Sequence, residues 1–142
     1  MIVDSQFNRT LIYIVDDDED DLFFIKSAIA NNIPNSVIKC FINGKQLIDH
    51  FGKLKSAMPA FVLLDLNMPV LNGKETLKQI RQNELITNLP VVIFSTSNCP
   101  VEKSLCFEYG ANNYYCKPSC VDAYNEIAQK LKVEYVERAV VN

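Results

Sequence analysis

Four short apolar runs, each of which ends at a polar residue, constrain the fold of this chain more than any other feature. They lie at residues 11–15, 61–64, 91–94 and 114–116, and helical patterns separate them along the chain. Runs this rich in β-branched and aromatic residues predict strands of a parallel sheet that helices cover on both faces. The sequence therefore predicts an α/β domain.

A side chain that can bind a ligand or take part in a reaction follows each run. Asp16 and Asp17 follow the first run, Asp65 the second, Ser95 the third and Lys117 the fourth. In open parallel sheets the ligand crevice lies outside the carboxyl ends of the strands. We therefore expect these side chains to meet at one edge of the sheet, although they are far apart in sequence.

Apolar residues at helical spacing fill the segments between the runs. They predict a first helix over about residues 19–32, and a further strand follows at residues 37–42. The whole pattern is typical of five strand–helix units. Because crossovers between parallel strands are right-handed, we expect a flavodoxin-like (βα)5 doubly wound parallel sheet with strand order 2-1-3-4-5.

The second and third helices are predicted from an apolar face and from a cap. Leu47, Phe51 and Leu54 form one face of the second helix. Asn72 and Glu75 have the spacing of a capping box, which marks the start of the third helix.

The last two helices are predicted in the same way. Pro100 opens the fourth helix, and Ser119 is expected to cap the fifth. The predicted buried stripe of the fourth helix consists of Val101, Leu105 and Tyr109. That of the fifth helix consists of Val121, Tyr124, Ile127 or Ala128, and Leu131.

Length and composition predict one globular domain. The 142 residues allow a single ordinary core, so we expect one domain over residues 1–142, with its core at about 9–132 and a C-terminal tail at 133–142. The tail would extend helix five, add an edge strand or stay disordered. A net charge of -3 without a basic stripe argues against direct nucleic-acid binding. No run approaches the roughly 20 apolar residues of a membrane span, so we expect a cytoplasmic protein without membrane contact.

Cysteine and histidine usage gives no sign of a metal-binding or disulfide framework. The five cysteines are an odd number and none forms a C-x-x-C pair. We expect reduced thiols, several of them packed as small apolar groups. The one histidine, His50, lies on the second predicted helix, away from the strand ends, and is expected to be exposed or to pack there.

The residues at the strand ends favour metal-assisted phosphoryl chemistry. Carboxylates that converge, as Asp16, Asp17 and Asp65 should, raise one another's pKa unless a cation neutralises them. Mg²⁺ fits because it binds one or two carboxylates together with water and phosphate oxygens. Beside a cation, Asp65 can be a nucleophile for a phosphoryl group, and Lys117 can pair with phosphate oxygens. The bland alternatives are that Asp65 is a cap or a ligand and that Lys117 is a surface cation.

The acidic residues 18–21 fit a solvated helix start, because carboxylates favour the first turn of a helix. They are therefore not assigned a role in the pocket.

The order and spacing of these motifs resemble the receiver domain of two-component response regulators over about residues 9–132. Each matching piece is common by itself, but the ordered set is specific. The pieces are Tyr13-Ile14-Val15-Asp16-Asp17, then Leu64-Asp65-Leu66-Asn67-Met68-Pro69 with Gly73, then Pro90 to Ser95, and Cys116-Lys117-Pro118.

The resemblance implies a role for each residue of the pocket. Asp65 would accept a phosphoryl group from the histidine of a sensor kinase. Asp17 would bind Mg²⁺ directly, Asp16 would bind it through water, and Asn67 would lend its backbone carbonyl. Lys117 would pair with the phosphoryl oxygens.

The resemblance also implies a switch. Ser95 corresponds to the hydroxyl that turns toward the phosphoryl group, and Tyr114 to the aromatic residue that moves with it. The surface of helix four, strand five and helix five would then change its partner binding. Two positions depart from the family pattern: Ser95 stands where threonine is commoner, and Thr96 stands where a smaller side chain is usual. Thr96 is expected to crowd the approach to Asp65.

The expected function is that of a stand-alone response regulator. Its partners would be a sensor histidine kinase or a histidine phosphotransfer protein, and a downstream protein, since residues 133–142 are too short for a DNA-binding output domain. We expect no enzyme activity beyond self-phosphorylation from small donors and self-dephosphorylation.

Two alternatives belong to other functional classes. An aspartate-nucleophile phosphatase would need an acid–base aspartate two residues after Asp65, where this chain has Asn67. A pseudo-receiver would bind proteins through the same fold without using the pocket.

Overall fold

The computed structural model of the protein describes residues 9–53 and 58–137. Five strands alternate with five helices, and a π-helical segment follows the last of them. In chain order the elements are β1 (Thr10–Val15), α1 (Glu19–Asn32), β2 (Ser36–Phe41), α2 (Gly44–Lys53), β3 (Phe61–Leu64), α3 (Gly73–Gln82), β4 (Val91–Ser95), α4 (Pro100–Glu108), β5 (Asn113–Cys116), α5 (Val121–Leu131) and the π-helix Lys132–Glu137.

The five strands form one parallel sheet in the order β2-β1-β3-β4-β5, which confirms the predicted strand order. In the register, Val15 lies opposite Leu64, and Leu64 lies opposite Ile93. Ser95 lies opposite Cys116. The carboxyl ends of the central strands are therefore level, and the residues that follow them start from one edge.

Side chains that alternate along the strands divide the core into two layers. On β1, Tyr13 and Val15 join α2, α3 and α4 on one face, whereas Ile12 and Ile14 join α1 and α5 on the other. The central strands have apolar partners on both sides, which is why their sequence is continuously apolar. Truncation of a fully buried residue such as Ile14 to alanine would cost about 2 to 5 kcal/mol.

Most element boundaries agree with the sequence prediction, because Gly, Pro and polar residues bracket the apolar runs. The helix over residues 19–32 and the strand over 61–64 are found at the predicted positions. Strand β2 was predicted at 37–42 but lies at Ser36–Phe41, so Ile42 falls outside it and is exposed. Leu54, predicted for α2, lies outside the described residues.

The predicted stripes of α4 and α5 are wrong at their first turns. Val101 is 69% exposed and Val121 is 59% exposed, whereas Cys106 is the buried residue of α4. Ser119 is not the cap of α5, because the N-cap residue is Cys120, whose side chain makes no capping hydrogen bond. The rest of the predicted α5 stripe, Tyr124 to Leu131, is buried, whereas Leu105 and Tyr109 of the predicted α4 stripe are only half-buried.

The five cysteines all lie in the described part of the chain and are free. Cys106 packs in the core, as expected of a small apolar group, but Cys40, Cys99, Cys116 and Cys120 are exposed. The expectation of several packed thiols is therefore right for Cys106 alone.

The π-helix continues α5 and returns the chain to the sheet. The Tyr135 ring packs against Phe61 with ring centroids 5.4 Å apart. Of the three alternatives for the tail, the described portion extends the helix, and residues 138–142 lie outside the described residues. Within residues 9–53 and 58–137, no helix is long and apolar enough to cross a membrane.

Candidate functional site

Three carboxylates meet at the carboxyl edge of the sheet. Asp16 follows β1 and Asp65 follows β3, and the Asp65 N–H donates to the Val15 carbonyl at 3.0 Å, which holds the two strand ends together. Oxygens of Asp16, Asp17 and Asp65 all lie within 4.8 Å of one another. Asp16 and Asp65 are buried and Asp17 is exposed. This arrangement offers oxygen ligands to a divalent cation from a pocket with one open side.

The ammonium of Lys117 lies in the same pocket. Its side chain is only 5% exposed, and Nζ donates to Asp16 Oδ2 at 2.7 Å and to Asp21 Oδ2 at 2.8 Å. Asp65 Oδ1 lies at 3.7 Å from Nζ, an ion-pair distance longer than a hydrogen bond. Burial acts to lower the pKa of Lys117, but the hydrogen bonds to Asp16 and Asp21 outweigh it and raise the pKa.

The two buried carboxylates carry an excess of negative charge that one ammonium does not balance. Burial raises the pKa of Asp65 to about 6, although Lys117 opposes the shift, and the charge of Asp16 adds to it. Burial likewise raises the pKa of Asp16, against the hydrogen bonds from Lys117 and from the Asp18 N–H, which donates to Oδ1 at 2.9 Å. A bound cation would relieve this repulsion, so the donor set fits a divalent ion.

Ser95 and Tyr114 lie beside the pocket on the last two strands. Ser95 is fully buried, its Oγ accepts from the Ser97 N–H at 3.2 Å, and its carbonyl accepts from the Lys117 N–H at 2.7 Å. Tyr114 is buried, and its hydroxyl donates to the Ser97 carbonyl at 2.7 Å. The segment after β4 is therefore held by one bond from each of these side chains. Thr96, the neighbour that departs from the family pattern, is exposed.

The loop between β3 and α3 follows Asp65 directly and packs against its backbone. Its exposed residue Asn67 faces a cleft of about 370 Å³ that this loop lines with the first turn of α3. The Gly73 N–H donates to the Leu66 carbonyl at 3.0 Å, and a Cβ at Gly73 would overlap the Asp65 carbonyl oxygen. Val70 in this loop has a φ of 69° and is 76% exposed. A β-branched residue in that region is strained.

Sequence reasoning missed the part that Asp21 plays. It treated residues 18–21 as a solvated helix start, whereas Asp21 bonds to Lys117. The neighbouring Asp20 is exposed. The sequence does not separate the two, because the difference depends on how α1 is rotated against the end of β5.

His50 lies on α2, apart from the pocket. The Tyr13 hydroxyl and His50 Nε2 are 2.9 Å apart, and the half-buried imidazole packs against the rings of Phe41 and Phe51. This agrees with the packing role expected from the sequence.

Similar proteins match most of this chain over very different shares of their own length. The chain is 32% identical over 114 residues to a probable cyclic di-GMP phosphodiesterase of Vibrio cholerae, covering 80% of this chain and 24% of that protein. It is 28% identical over 126 residues to the probable methanogenesis regulatory protein FilR2 of Methanothrix harundinacea, covering 86% and 81% of the two. It is 32% identical over 133 residues to the protein-glutamate methylesterase/protein-glutamine glutaminase of Bacillus subtilis, covering 85% and 33%. The chain thus spans about a quarter to a third of two of these relatives.

Solved structures agree with the fold. The Mn²⁺-bound form of response regulator Rcp1 superposes with a TM-score of 0.80 at 23% identity, covering 90% of this chain and 95% of that one. A response regulator receiver domain from Rhodospirillum rubrum gives 0.77 at 29% identity, covering 87% and 94%. A divalent metal is thus present in one protein of this fold.

The family comparison covers nearly the whole described domain. The response regulator receiver domain matches residues 12–131, from the middle of β1 to the end of α5. That span includes all the strand-end residues that form the acidic pocket. The chain therefore belongs to the response regulator receiver domain family.

Proposed function

We propose that this chain is a phospho-accepting receiver, in which Mg²⁺-dependent transfer from a phosphohistidine to Asp65 switches the surface of α4, β5 and α5. The observation that carries the proposal is the convergence of three carboxylates with a buried ammonium at one sheet edge. Phosphoryl transfer needs mainly positioning and charge neutralisation, and this pocket has groups of the required types for both.

In this proposal, an oxygen of Asp65 attacks phosphorus as the P–N bond of the donor phosphohistidine breaks, and the released imidazole takes a proton from solvent. Asp17, Asp16 through water and the Asn67 carbonyl would hold Mg²⁺ with Asp65. Bound there, the ion would neutralise the charge that develops on the phosphoryl oxygens. Lys117 would take one of those oxygens.

The switch would use the hydroxyl of Ser95. It accepts from the Ser97 N–H in this structure, and it would instead donate to a phosphoryl oxygen. Tyr114, bonded to the Ser97 carbonyl, would move with that segment. A charge-assisted hydrogen bond contributes roughly 1.5 to 3 kcal/mol, which changes a two-state ratio about ten- to hundredfold. That is enough for a signal but not for an all-or-none lock.

The proposed partners are a sensor histidine kinase or histidine phosphotransfer protein, and a downstream protein that reads the switched surface. A cytoplasmic location is part of the proposal, supported by five free cysteines, which are typical of a reducing compartment. Catalysis would be limited to self-phosphorylation and self-dephosphorylation, because Asn67 takes the place where a phosphatase would have an acid–base aspartate.

One observation favours a second candidate, the pseudo-receiver. Lys117 hydrogen-bonds to Asp16 and Asp21 and forms only a longer ion pair with Asp65, so the charges of the pocket are partly balanced without a phosphoryl group. A pure binding module would have the same internal pairing. The two candidates differ in their response to beryllofluoride, a phosphoryl analogue, which should perturb the protein only if the pocket is competent.

The test is intact mass after incubation with acetyl phosphate and Mg²⁺. We expect wild type to gain about 80 Da, one phosphoryl group, and to lose the gain when a chelator is present. Asp65→Asn should not gain mass, whereas Asp20→Asn, which changes an exposed carboxylate, should behave as wild type. No adduct in wild type, together with no response to beryllofluoride, would favour the pseudo-receiver.

A further inference from the structure

The ammonium of Lys117 is already largely occupied. An ammonium has three N–H donors, and two of them are used by Asp16 and Asp21 at 2.7 and 2.8 Å. Asp65 Oδ1 lies 3.7 Å away, beyond hydrogen-bond distance. In this state the hydrogen bonds of the lysine go to the end of β1 and the start of α1 rather than to the proposed phosphoacceptor.

The contact from Asp21 is built into the start of α1. Asp18 caps the helix by accepting from the Asp21 N–H at 3.0 Å, which fixes the backbone of Asp21. Successive helical residues are rotated by about 100°, so Asp20 points to solvent while Asp21 points at Lys117. The Asp21 side chain is 25% exposed. The contact is therefore set by the capped helix and not by a flexible surface side chain.

Asp16 and Asp21 differ in what else they can bind. Among the described residues, the carboxylates grouped closely enough to hold a cation are Asp16, Asp17 and Asp65, without Asp21. A cation in that group would compete with Lys117 for Asp16 and would leave the bond that Nζ donates to Asp21 in place. Asp21 is then the carboxylate that still holds the ammonium when a phosphoryl group arrives.

We propose that Asp21 is a positioning residue that competes with the phosphoryl group on Asp65 for the ammonium of Lys117, and so weakens phosphoryl binding. This inference rests on the proposed phospho-accepting function. Carboxylates and phosphoryl oxygens are both strong, charged acceptors for an ammonium. One N–H of Lys117 is not used by Asp16 or Asp21, but Nζ lies 3.7 Å from Asp65 Oδ1, so the bond to Asp21 opposes any movement of the ammonium toward a phosphoryl group on Asp65. Loss of the Asp21 charge should therefore strengthen the pairing with the phosphoryl oxygens.

The test is calorimetric titration with beryllofluoride at one saturating Mg²⁺ concentration. We expect Asp21→Asn to bind the analogue about three- to tenfold more tightly than wild type, as removal of a partly exposed charged competitor would give. Asp20→Asn removes the same charge from the same helix turn without touching Lys117 and should stay within about twofold of wild type. Asp21→Glu restores the carboxylate and should return the affinity toward wild type, which a purely structural effect would not do.

A second measurement tests the contact between Asp21 and Lys117 without Mg²⁺ or beryllofluoride. In chelator, the Lys117 Nζ signals in NMR spectra should shift in Asp21→Asn and not in Asp20→Asn. Equal beryllofluoride affinities for all variants, or weaker binding by Asp21→Asn, would overturn the inference. The proposed function would still stand in that case, provided that wild type binds beryllofluoride. Wild type that takes neither beryllofluoride nor phosphoryl would overturn the proposed function and this inference with it.

Discussion

Lys117 at the carboxyl end of the sheet and Arg81 at its amino end are both cations held by several acceptors, but the acceptors are of opposite kinds. Lys117 donates to the carboxylates of Asp16 and Asp21. Arg81 donates to neutral oxygens of two loops. These are the carbonyls of Gly110, Thr87 and Leu89 and Oδ1 of Asn112, at 2.6 to 3.0 Å.

The difference indicates at which end of the sheet the hydrogen-bond partners can be exchanged. The partners of Lys117 are titratable and can also bind a cation, so its bonds can be exchanged when a ligand enters. The partners of Arg81 are three backbone carbonyls and the side-chain amide oxygen of Asn112, none of which titrates. Its planar guanidinium joins the end of α3 to the loops before β4 and β5. Burial lowers the pKa of Arg81, whereas the carboxylate bonds raise that of Lys117. Arg81 therefore acts as a rigid clamp at the amino end of the sheet, whereas Lys117 and its carboxylates at the carboxyl end are charges whose pairing can be exchanged.

The largest expected effect is the loss of stability when Arg81, the clamp, is replaced. Arg81→Met removes five hydrogen bonds and leaves carbonyls without partners, so it should lower the free energy of unfolding by about 3 kcal/mol or more. Urea unfolding measures it. Lys78→Met is the control, since that lysine lies on the same helix, contacts the Tyr109 ring and pairs with the exposed Glu75 at 3.6 Å, and it should cost less than about 1 kcal/mol. Equal effects in both variants would contradict a clamp.

The second prediction concerns the pH dependence of stability that Asp65, at the carboxyl end of the sheet, should cause. The pKa of Asp65 is about 6 in the folded protein against an ordinary 3.8, so between these values the folded state keeps a proton that the unfolded chain releases. Metal-free wild type should therefore lose stability as pH rises from about 4 to 6, by up to about 3 kcal/mol at 1.36 kcal/mol per pKa unit. Urea midpoints in chelator, compared with those of Asp65→Asn, isolate the effect. Parallel curves for the two proteins would contradict it.

The third prediction concerns cation binding. Under the proposed function, Mg²⁺ at ten times its dissociation constant should raise the free energy of unfolding by about 1.4 kcal/mol, because a ligand that binds only the folded state stabilises it. Asp17→Asn should lose most of this gain, and Asp20→Asn, changed at an exposed site on α1, should keep it. Thermal unfolding with and without the ion checks it. A gain that persists in Asp17→Asn would place the ion elsewhere.

The smallest effect tests strain near the pocket. Val70→Asn should stabilise the fold by about 1 kcal/mol, since asparagine tolerates the φ of 69° that strains a β-branched residue. Val101→Asn changes an equally exposed valine in the first turn of α4 and should give no gain. Urea unfolding of both variants makes the comparison. If Val70→Asn also fails to gain stability, the loop stores no strain at this residue.

The sheet and the pocket were largely predictable from the sequence. Asp16, Asp65 and Lys117 each follow an apolar run, and parallel strands bring such positions to one edge. The misses on the helices have two causes: a period of 3.6 residues shows neither which turn of a helix lies over the sheet nor how the helix is rotated against a neighbouring strand end. The first cause explains why Val101 and Val121 are exposed against expectation, and the second why the sequence does not separate Asp21 from Asp20.

Gly73 has a consequence for how movement passes through the domain. Because a Cβ there would overlap the carbonyl oxygen of Asp65, the first residue of α3 rests on the backbone of Asp65 with no side chain between them. Closely packed groups transmit displacement instead of absorbing it. A displacement of α3 toward the sheet would therefore be passed directly to the backbone of Asp65.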